Sequence, residues 1–163
     1  MHEPAYNYVA RWADPGPCRV LEVGSREVNG SVRGLFPGAR YLGVDKLDGP
    51  GVDLVADATE PLEGVGLFDY AISTEVFEHE EFWRSVLTFM VNALDTAGRV
   101  IVTAAGICRR PHSAVDGGPW LRPGEWYSPI FPQELSLTLS MLPLYGISVE
   151  TDVDGVYGTG VRL

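Results

Sequence analysis

Apolar residues recur along this chain with two periods, and stretches of the two periods alternate. Five short runs dense in β-branched and other apolar residues read as strands: CRVLEV (18–23), ARYLGVD (39–45), VDLVAD (52–57), LFDYAIST (67–74) and RVIVTAA (99–105). The fifth is the most apolar and is expected inside the sheet. In EHEEFWRSVLTFMVNAL (78–94), Trp83, Val86, Leu87, Met90, Val91 and Leu94 recur at helical spacing. That reading puts Glu78, Glu80 and Glu81 in the first turn, where the helix dipole favours negative charge, and makes Gly98 of DTAG (95–98) the stop. SVRGLF (31–36) has room for one or two helical turns. EPAYNYVARWA (3–13) reads as a helix packed outside the sheet, and FPQELSLTLSML (131–142) as a helix beginning near Pro132. From 145 to 163 apolar and polar residues alternate around Asp154-Gly155, a strong hairpin signal, so two closing strands are expected, at least one of them antiparallel.

The order of these elements predicts one α/β domain over residues 1–163. Its expected architecture is a Rossmann-like, doubly wound, mostly parallel sheet of about seven strands with a C-terminal antiparallel hairpin. In such a sheet ligands gather at the carboxyl ends of the strands, near the switch in strand order. An irregular stretch, 106–129, separates the fifth strand from the last helix and is rich in Pro, Gly, Trp and Arg. Loops of that length inside a compact domain are usually functional or mobile.

The composition, 45% apolar and 21% charged, is ordinary for a soluble globular protein, but the net charge of −10 narrows the partners. An acidic surface repels a phosphate backbone, and Arg109-Arg110 is the only adjacent basic pair, so nucleic acid is a poor expectation. Cys18 and Cys108 lie far apart without metal-ligand spacing and read as free thiols of a reducing cytoplasm. Residues 2–14 do not resemble a secretory leader, and no apolar run is long enough to cross a bilayer. Strand edges at the carboxyl terminus leave room for a homodimer.

The chemistry-bearing residues cluster at strand ends. Glu22 is an acid near the end of the first strand, and Gly24 lets the chain turn sharply beside a ligand. Asp45 ends the second strand about 20 residues on, where an acid takes both hydroxyls of a ribose. Asp57 ends the third, within reach of an adenine edge. A dinucleotide needs G-x-G-x-x-G so that its pyrophosphate sits on helix amides, but Ser25-Arg26-Glu27-Val28-Asn29-Gly30 follows Gly24. Glu22 and Glu27 would also repel a pyrophosphate. A phosphate-free adenosine cofactor with an ammonium group fits better, and S-adenosylmethionine is one.

VLEVGS (20–25), YLGVD (41–45), VADATEPL (55–62), FDYAISTEVFEH (68–79) and GRVIVTA (98–104) resemble, in order and spacing, the motifs of class I S-adenosylmethionine-dependent methyltransferases. The likeness is greatest to the small-molecule group whose fourth strand ends in S-x-E-V-x-E-H. The resemblance implies S-adenosyl-L-methionine as cofactor and a small-molecule methyl acceptor as partner. It implies that Glu22 and Gly24 line the methionine part, that Asp45 binds the ribose and that Asp57 and Ala58 flank the adenine. Thr74 or Glu75 would close the pocket, and Ser25 and Lys46 complete the expected cofactor set. The first motif departs from the group's E/D-x-G-x-G-x-G, because Arg26 and Val28 replace the later glycines; a wider turn is expected, with Gly30 near the helix start.

The catalytic candidates are His79, His112, Asp116 and Tyr127. His79, just past the fourth strand, either serves as a base of suitable pKa or packs at the helix terminus. His112 either pairs with Asp116 over the substrate or is a solvated loop residue. Trp120, Trp126 and Tyr127 either form a lid that excludes water or pack the loop on the sheet edge. His79, His112, Asp116 and the acids are scattered in sequence without metal-ligand spacing, so no metal is expected. The reading is methyl transfer to oxygen, or secondarily nitrogen, of a small molecule. The alternatives are a catalytically silent cofactor-binding or scaffold module and an NAD-linked oxidoreductase. No G-x-S-x-G or N-P-P-Y occurs, which disfavours a serine hydrolase and a nucleic-acid methyltransferase.

Overall fold

In the computed structural model, which describes residues 3–60, 62 and 64–163, one seven-stranded sheet runs through the molecule. The strands are β1 (Arg19–Val23), β2 (Arg40–Asp45), β3 (Leu54–Val55), β4 (Phe68–Thr74), β5 (Leu94–Ala105), β6 (Leu144–Thr151) and β7 (Gly155–Arg162). Their spatial order is β3-β2-β1-β4-β5-β7-β6. The first five are parallel, β7 is antiparallel to β5, and β6 is antiparallel to β7. The expected α/β sheet, its strand number and its antiparallel close are all present. Strand order reverses between β1 and β4, so the crevice of a doubly wound sheet opens there, at their carboxyl ends.

Alternation along each strand sends side chains to two cores. Leu21 and Val23 of β1, Ala71 of β4 and Val100, Val102 and Ala104 of β5 face one core, closed by Val86, Leu87, Met90 and Val91 of α2 (Trp83–Asn92) and Leu135 and Leu139 of α3 (Pro132–Ser140). Val20, Ile72 and Ile101 face the other, covered by Ala5, Tyr8 and Val9 of α1 (Glu3–Ala10) and by Val32 and Phe36. α3 begins at Pro132, as expected. SVRGLF supplies only a single 3₁₀ turn, Arg33–Leu35.

Two local expectations are corrected. α2 starts at Trp83 with no acid in its first turn, because Glu80 accepts the Phe82 N–H at 2.9 Å and Glu78 lies earlier, in a separate 3₁₀ turn (Phe77–His79) that carries its side chain inward. Gly98 does not stop that helix; α2 ends at Asn92, and DTAG is already strand, bent at Ala97 (φ 64°) into the twelve-residue β5.

Candidate functional site

The chain leaves β1 at Gly24 with φ 79°, and a Cβ there would lie 2.1 Å from Val76 Cγ2, so only glycine fits the turn. The segment beyond Gly24 does not wind into a helix but lies along the end of β2. The Gly24 and Ser25 N–H groups donate to the Val44 carbonyl, at 2.8 and 3.2 Å, and the Glu27 N–H to the Pro50 carbonyl at 2.9 Å. The Arg26 N–H donates to Asp45 Oδ2 at 3.2 Å. These are the amides a glycine-rich loop would offer to a pyrophosphate, and here each is consumed within the protein. Missing glycines therefore correspond to a wider turn, as expected, and leave no phosphate cradle. The Arg26 guanidinium reaches across to the carbonyls of Ala114 and Val115, both at 3.0 Å, and fastens the 106–129 loop over the strand ends. Arg26→Ala is expected to change stability by under about 1 kcal/mol while speeding cleavage within 106–129 about three- to tenfold, as read by limited proteolysis.

Beneath that loop lies a cavity of about 1140 Å³, larger than the roughly 300–1,000 Å³ of a usual single-ligand site, so it has room for two molecules. Every expected cofactor residue, Glu22, Gly24, Ser25, Asp45, Lys46, Asp57, Ala58, Thr74 and Glu75, lines it, together with His79 and His112. The Glu22 carboxylate, 3% exposed, accepts a hydrogen bond from the Tyr41 hydroxyl at 2.9 Å. Burial pushes its pKa up to about 7, against the lowering effect of Tyr41 and Arg33. A buried acid of this kind at a cavity wall favours a cation beside it. Asp45 spends one lone pair on the Leu47 N–H and one on the Arg26 N–H, keeps further acceptor capacity, and lines the cavity. Asp57 is more heavily engaged: Thr59 donates its N–H and hydroxyl, and Lys46 Nζ lies at 3.2 Å. Lys46 also pairs with Glu80 at 2.6 Å, bridging the end of β2 to the segment before α2.

The opposite wall is built by the turn after β4 and by the loop. Glu75 adopts a left-handed backbone (φ 59°), a conformation costing about 1–3 kcal/mol for a non-glycine residue that is held here by its N–H to the Thr103 carbonyl. Its carboxylate accepts from the Thr103 hydroxyl at 3.0 Å and pairs with Arg109. The next turn brings His79 against His112, with Nε2 atoms 3.3 Å apart and rings edge to face. Glu78, directly before His79, is fully buried, and neither carboxylate oxygen has a hydrogen bond of good geometry. Burial and the neighbouring Glu75 charge raise its pKa.

Several expectations about catalysis are corrected. His112 does not pair with Asp116: the Arg122 guanidinium takes that carboxylate, pulling its pKa down to about 2, and Asp116 does not line the cavity. His79 is not a base poised near neutrality, since burial and His112 push its pKa down to about 4, the Glu125 charge and the Trp126 backbone only partly offsetting them. Tyr127 also stays off the cavity wall; its ring packs edge-on against both histidines, its hydroxyl donates to the Arg109 carbonyl at 3.3 Å, and burial raises its pKa to about 12. Trp120, 79% exposed, does not line the cavity, whereas Trp126 does. Cys108 is exposed and Cys18 half-buried, both free. The side chains whose roles sequence reasoning missed are Glu78, Arg26, Arg109 and Tyr41; Glu78 carried a signal as the second acid of the S-x-E-V-x-E-H motif, Arg26 as a departure in the first motif and Arg109 as half of the sole basic pair.

Neither a protein-family model nor a curated protein sequence matches the chain. Among solved structures, the 1,6-didemethyltoxoflavin-N1-methyltransferase of Burkholderia thailandensis aligns with 98% of this chain and 77% of its own, at 17% identity and a TM-score of 0.68. The N-methyltransferase NodS of Bradyrhizobium japonicum aligns over 98% and 94%, at 16% identity and a TM-score of 0.64. Phosphoethanolamine N-methyltransferase 2 of Haemonchus contortus shares 14% identity at a TM-score of 0.69, and the chain spans about half, 52%, of its length. The fold is that of class I S-adenosylmethionine-dependent methyltransferases. Among the described residues no helix is long and apolar enough to cross a membrane.

Proposed function

We propose that this protein transfers a methyl group from S-adenosyl-L-methionine to a small-molecule acceptor, with oxygen as the acceptor atom ahead of nitrogen. The observation that carries this reading is a cavity large enough for two ligands whose walls differ in chemistry. Glu22, Gly24 and Asp45 stand on the β1–β2 side, and His79, His112, Arg109 and Trp126 stand on the loop side. The first wall suits the cofactor: Glu22 attracts its α-ammonium, Gly24 presents bare backbone, and Asp45 takes the ribose hydroxyls. Solved neighbours of this fold were crystallised with S-adenosylmethionine or S-adenosylhomocysteine, which supports the same assignment here. When bound, the cofactor supplies an electrophilic methyl on sulfur. The chain's own residues then hold the acceptor on the loop side and exclude water, and placement of the nucleophile supplies much of the acceleration.

The consumed amides after Gly24 count against an NAD-linked oxidoreductase. Calorimetric titration with S-adenosylhomocysteine and, separately, with NAD tests the assignment. Micromolar binding of the first with none of the second is the expected result. Binding of NAD alone would overturn it, and binding of neither would favour a silent scaffold of the same fold.

A further inference from the structure

We propose that Glu78, His79 and His112 form a binding site for one first-row divalent cation of the Zn²⁺ or Co²⁺ type in the acceptor-side wall of the cavity. A carboxylate oxygen of Glu78 and a ring nitrogen of each histidine lie within 4.8 Å of one another. The two Nε2 atoms are 3.3 Å apart, which is roughly the separation of two imidazole nitrogens each 2.0–2.1 Å from one tetrahedral ion. Glu78 Oε1 is 4.0 Å from His79 Nε2, so a side-chain movement on the order of 1 Å completes a three-ligand face.

Two further observations point the same way. Glu78 is wholly buried, and its carboxylate has no side-chain partner and no hydrogen bond of good geometry, only the backbone N–H groups of Glu78 itself and Ala105 nearby, although a buried carboxylate is rare without a charged partner. The cation beside it, Arg109, is already paired with Glu75. His112 has the outer hydrogen bond of a metal ligand: its Nδ1–H donates to the Arg110 carbonyl at 3.1 Å, which fixes the tautomer and leaves the Nε2 lone pair facing His79. Tyr127 packs edge-on against both rings and the Ser128 N–H donates to the Glu78 carbonyl at 2.8 Å, so the loop that brings His112 is tied to the turn that brings Glu78 and His79. Two imidazoles and one carboxylate select a borderline transition ion over Mg²⁺ or Ca²⁺, and three protein ligands leave at least one position for a ligand from the cavity. In a consequence that rests on the methyl-transfer reading, the acceptor is a hydroxyl-bearing molecule whose oxygen binds at that position and loses its proton to solvent more readily. His79 then acts as a ligand through Nε2, the atom that faces His112.

The test uses the full chain stripped with a chelator and titrated with Co²⁺. One equivalent bound with the intense visible band of four- or five-coordinate cobalt, displaced by Zn²⁺, is the expected result. Glu78→Gln and His112→Ala, each checked for folding by circular dichroism, should weaken Co²⁺ binding by at least about 30-fold. No binding by the wild-type chain, or unchanged binding by both folded variants, would overturn the site. Acetohydroxamate, a bidentate oxygen chelator, should shift the cobalt band, and an unmoved band would overturn the open position. Titrating the metal-free protein with S-adenosylhomocysteine keeps the two readings separate, because cofactor binding without cobalt binding sinks only the metal site, and the converse sinks only the methyltransferase reading.

Discussion

Asp45→Ala is expected to raise the dissociation constant for S-adenosylhomocysteine about 100-fold, measured by calorimetry at neutral pH. Two charge-assisted hydrogen bonds from ribose hydroxyls are worth about 1.5–3 kcal/mol each, and a loss of about 2.7 kcal/mol is 100-fold. A second contribution comes from the protein. The same carboxylate holds the Leu47 N–H at 2.9 Å and the Arg26 N–H at 3.2 Å, so its removal frees the turn that carries Gly24 past the ligand. Asp45→Asn separates the two. Its amide oxygen can still accept from Leu47, but its NH₂ meets the Arg26 N–H donor to donor and offers the ribose only one acceptor. We expect an intermediate loss of about tenfold. An Asp45→Ala affinity within twofold of wild type would remove the ribose assignment.

The fold was legible because it is written in burial. Ala71, Ile72, Val100, Ile101 and Val102 have no exposed surface, and their alternation between two cores needs both faces of the sheet covered. Such apolar runs separated by turn residues leave few other arrangements. Boundaries were less legible where one side chain outweighs local propensity. The start of α2 is set by the Glu80 carboxylate on Phe82 N–H, and the helical period of 78–94 carries no trace of that bond. Likewise, β5 takes in DTAG because Ala97 adopts a positive φ, a conformation that sequence assigns to glycine first.

The wall proposed for the cofactor was readable because its residues sit at or just past the ends of strands whose place the pattern predicts. The loop wall was not. Residues 33 apart, His79 and His112, meet only because the 106–129 segment folds back on itself. That fold depends on Glu125 accepting from the Ser113 hydroxyl at 3.0 Å, the Val115 N–H at 3.1 Å and the Arg122 N–H, and on Arg122 holding Asp116. Polar contacts of this kind have no period. Asp116, four residues from His112, is the nearer partner by sequence, but an arginine six residues farther on claims it. Glu78 looked like a helix-dipole residue and is instead a buried acid, because a 3₁₀ turn places it on the inner side.

Glu22→Gln is expected to stabilise the free protein and to disable it. In the unfolded chain this carboxyl titrates near 4.5, whereas in the fold burial raises it to about 7. The native state therefore holds the extra proton between those values, and stability contributed by Glu22 falls as pH rises from 4.5 through 7, with the full penalty present above 7. A shift of that size corresponds to at most about 3 kcal/mol at pH 8. Glutamine keeps a carbonyl oxygen for the Tyr41 hydroxyl, now 2.9 Å from Glu22, and carries no charge to desolvate. The variant should melt about 4–8 °C above wild type at pH 8, with little difference at pH 5. Cofactor affinity should move the other way. An ammonium group needs the ionised carboxylate, so wild-type affinity for S-adenosylhomocysteine should rise as pH increases from 6 to 8, approaching tenfold per unit below the pKa. In the variant that pH dependence should flatten and affinity at pH 8 should fall at least about 30-fold, the loss of a charge-assisted bond in a buried site. Stability lost through Glu22 is then the direct consequence of keeping a carboxylate out of water at the place proposed for the cofactor's cation. A variant that melts no higher than wild type at pH 8 would show that Glu22 is not strained by burial, and one that binds with unchanged affinity would show that it is not the ammonium's partner.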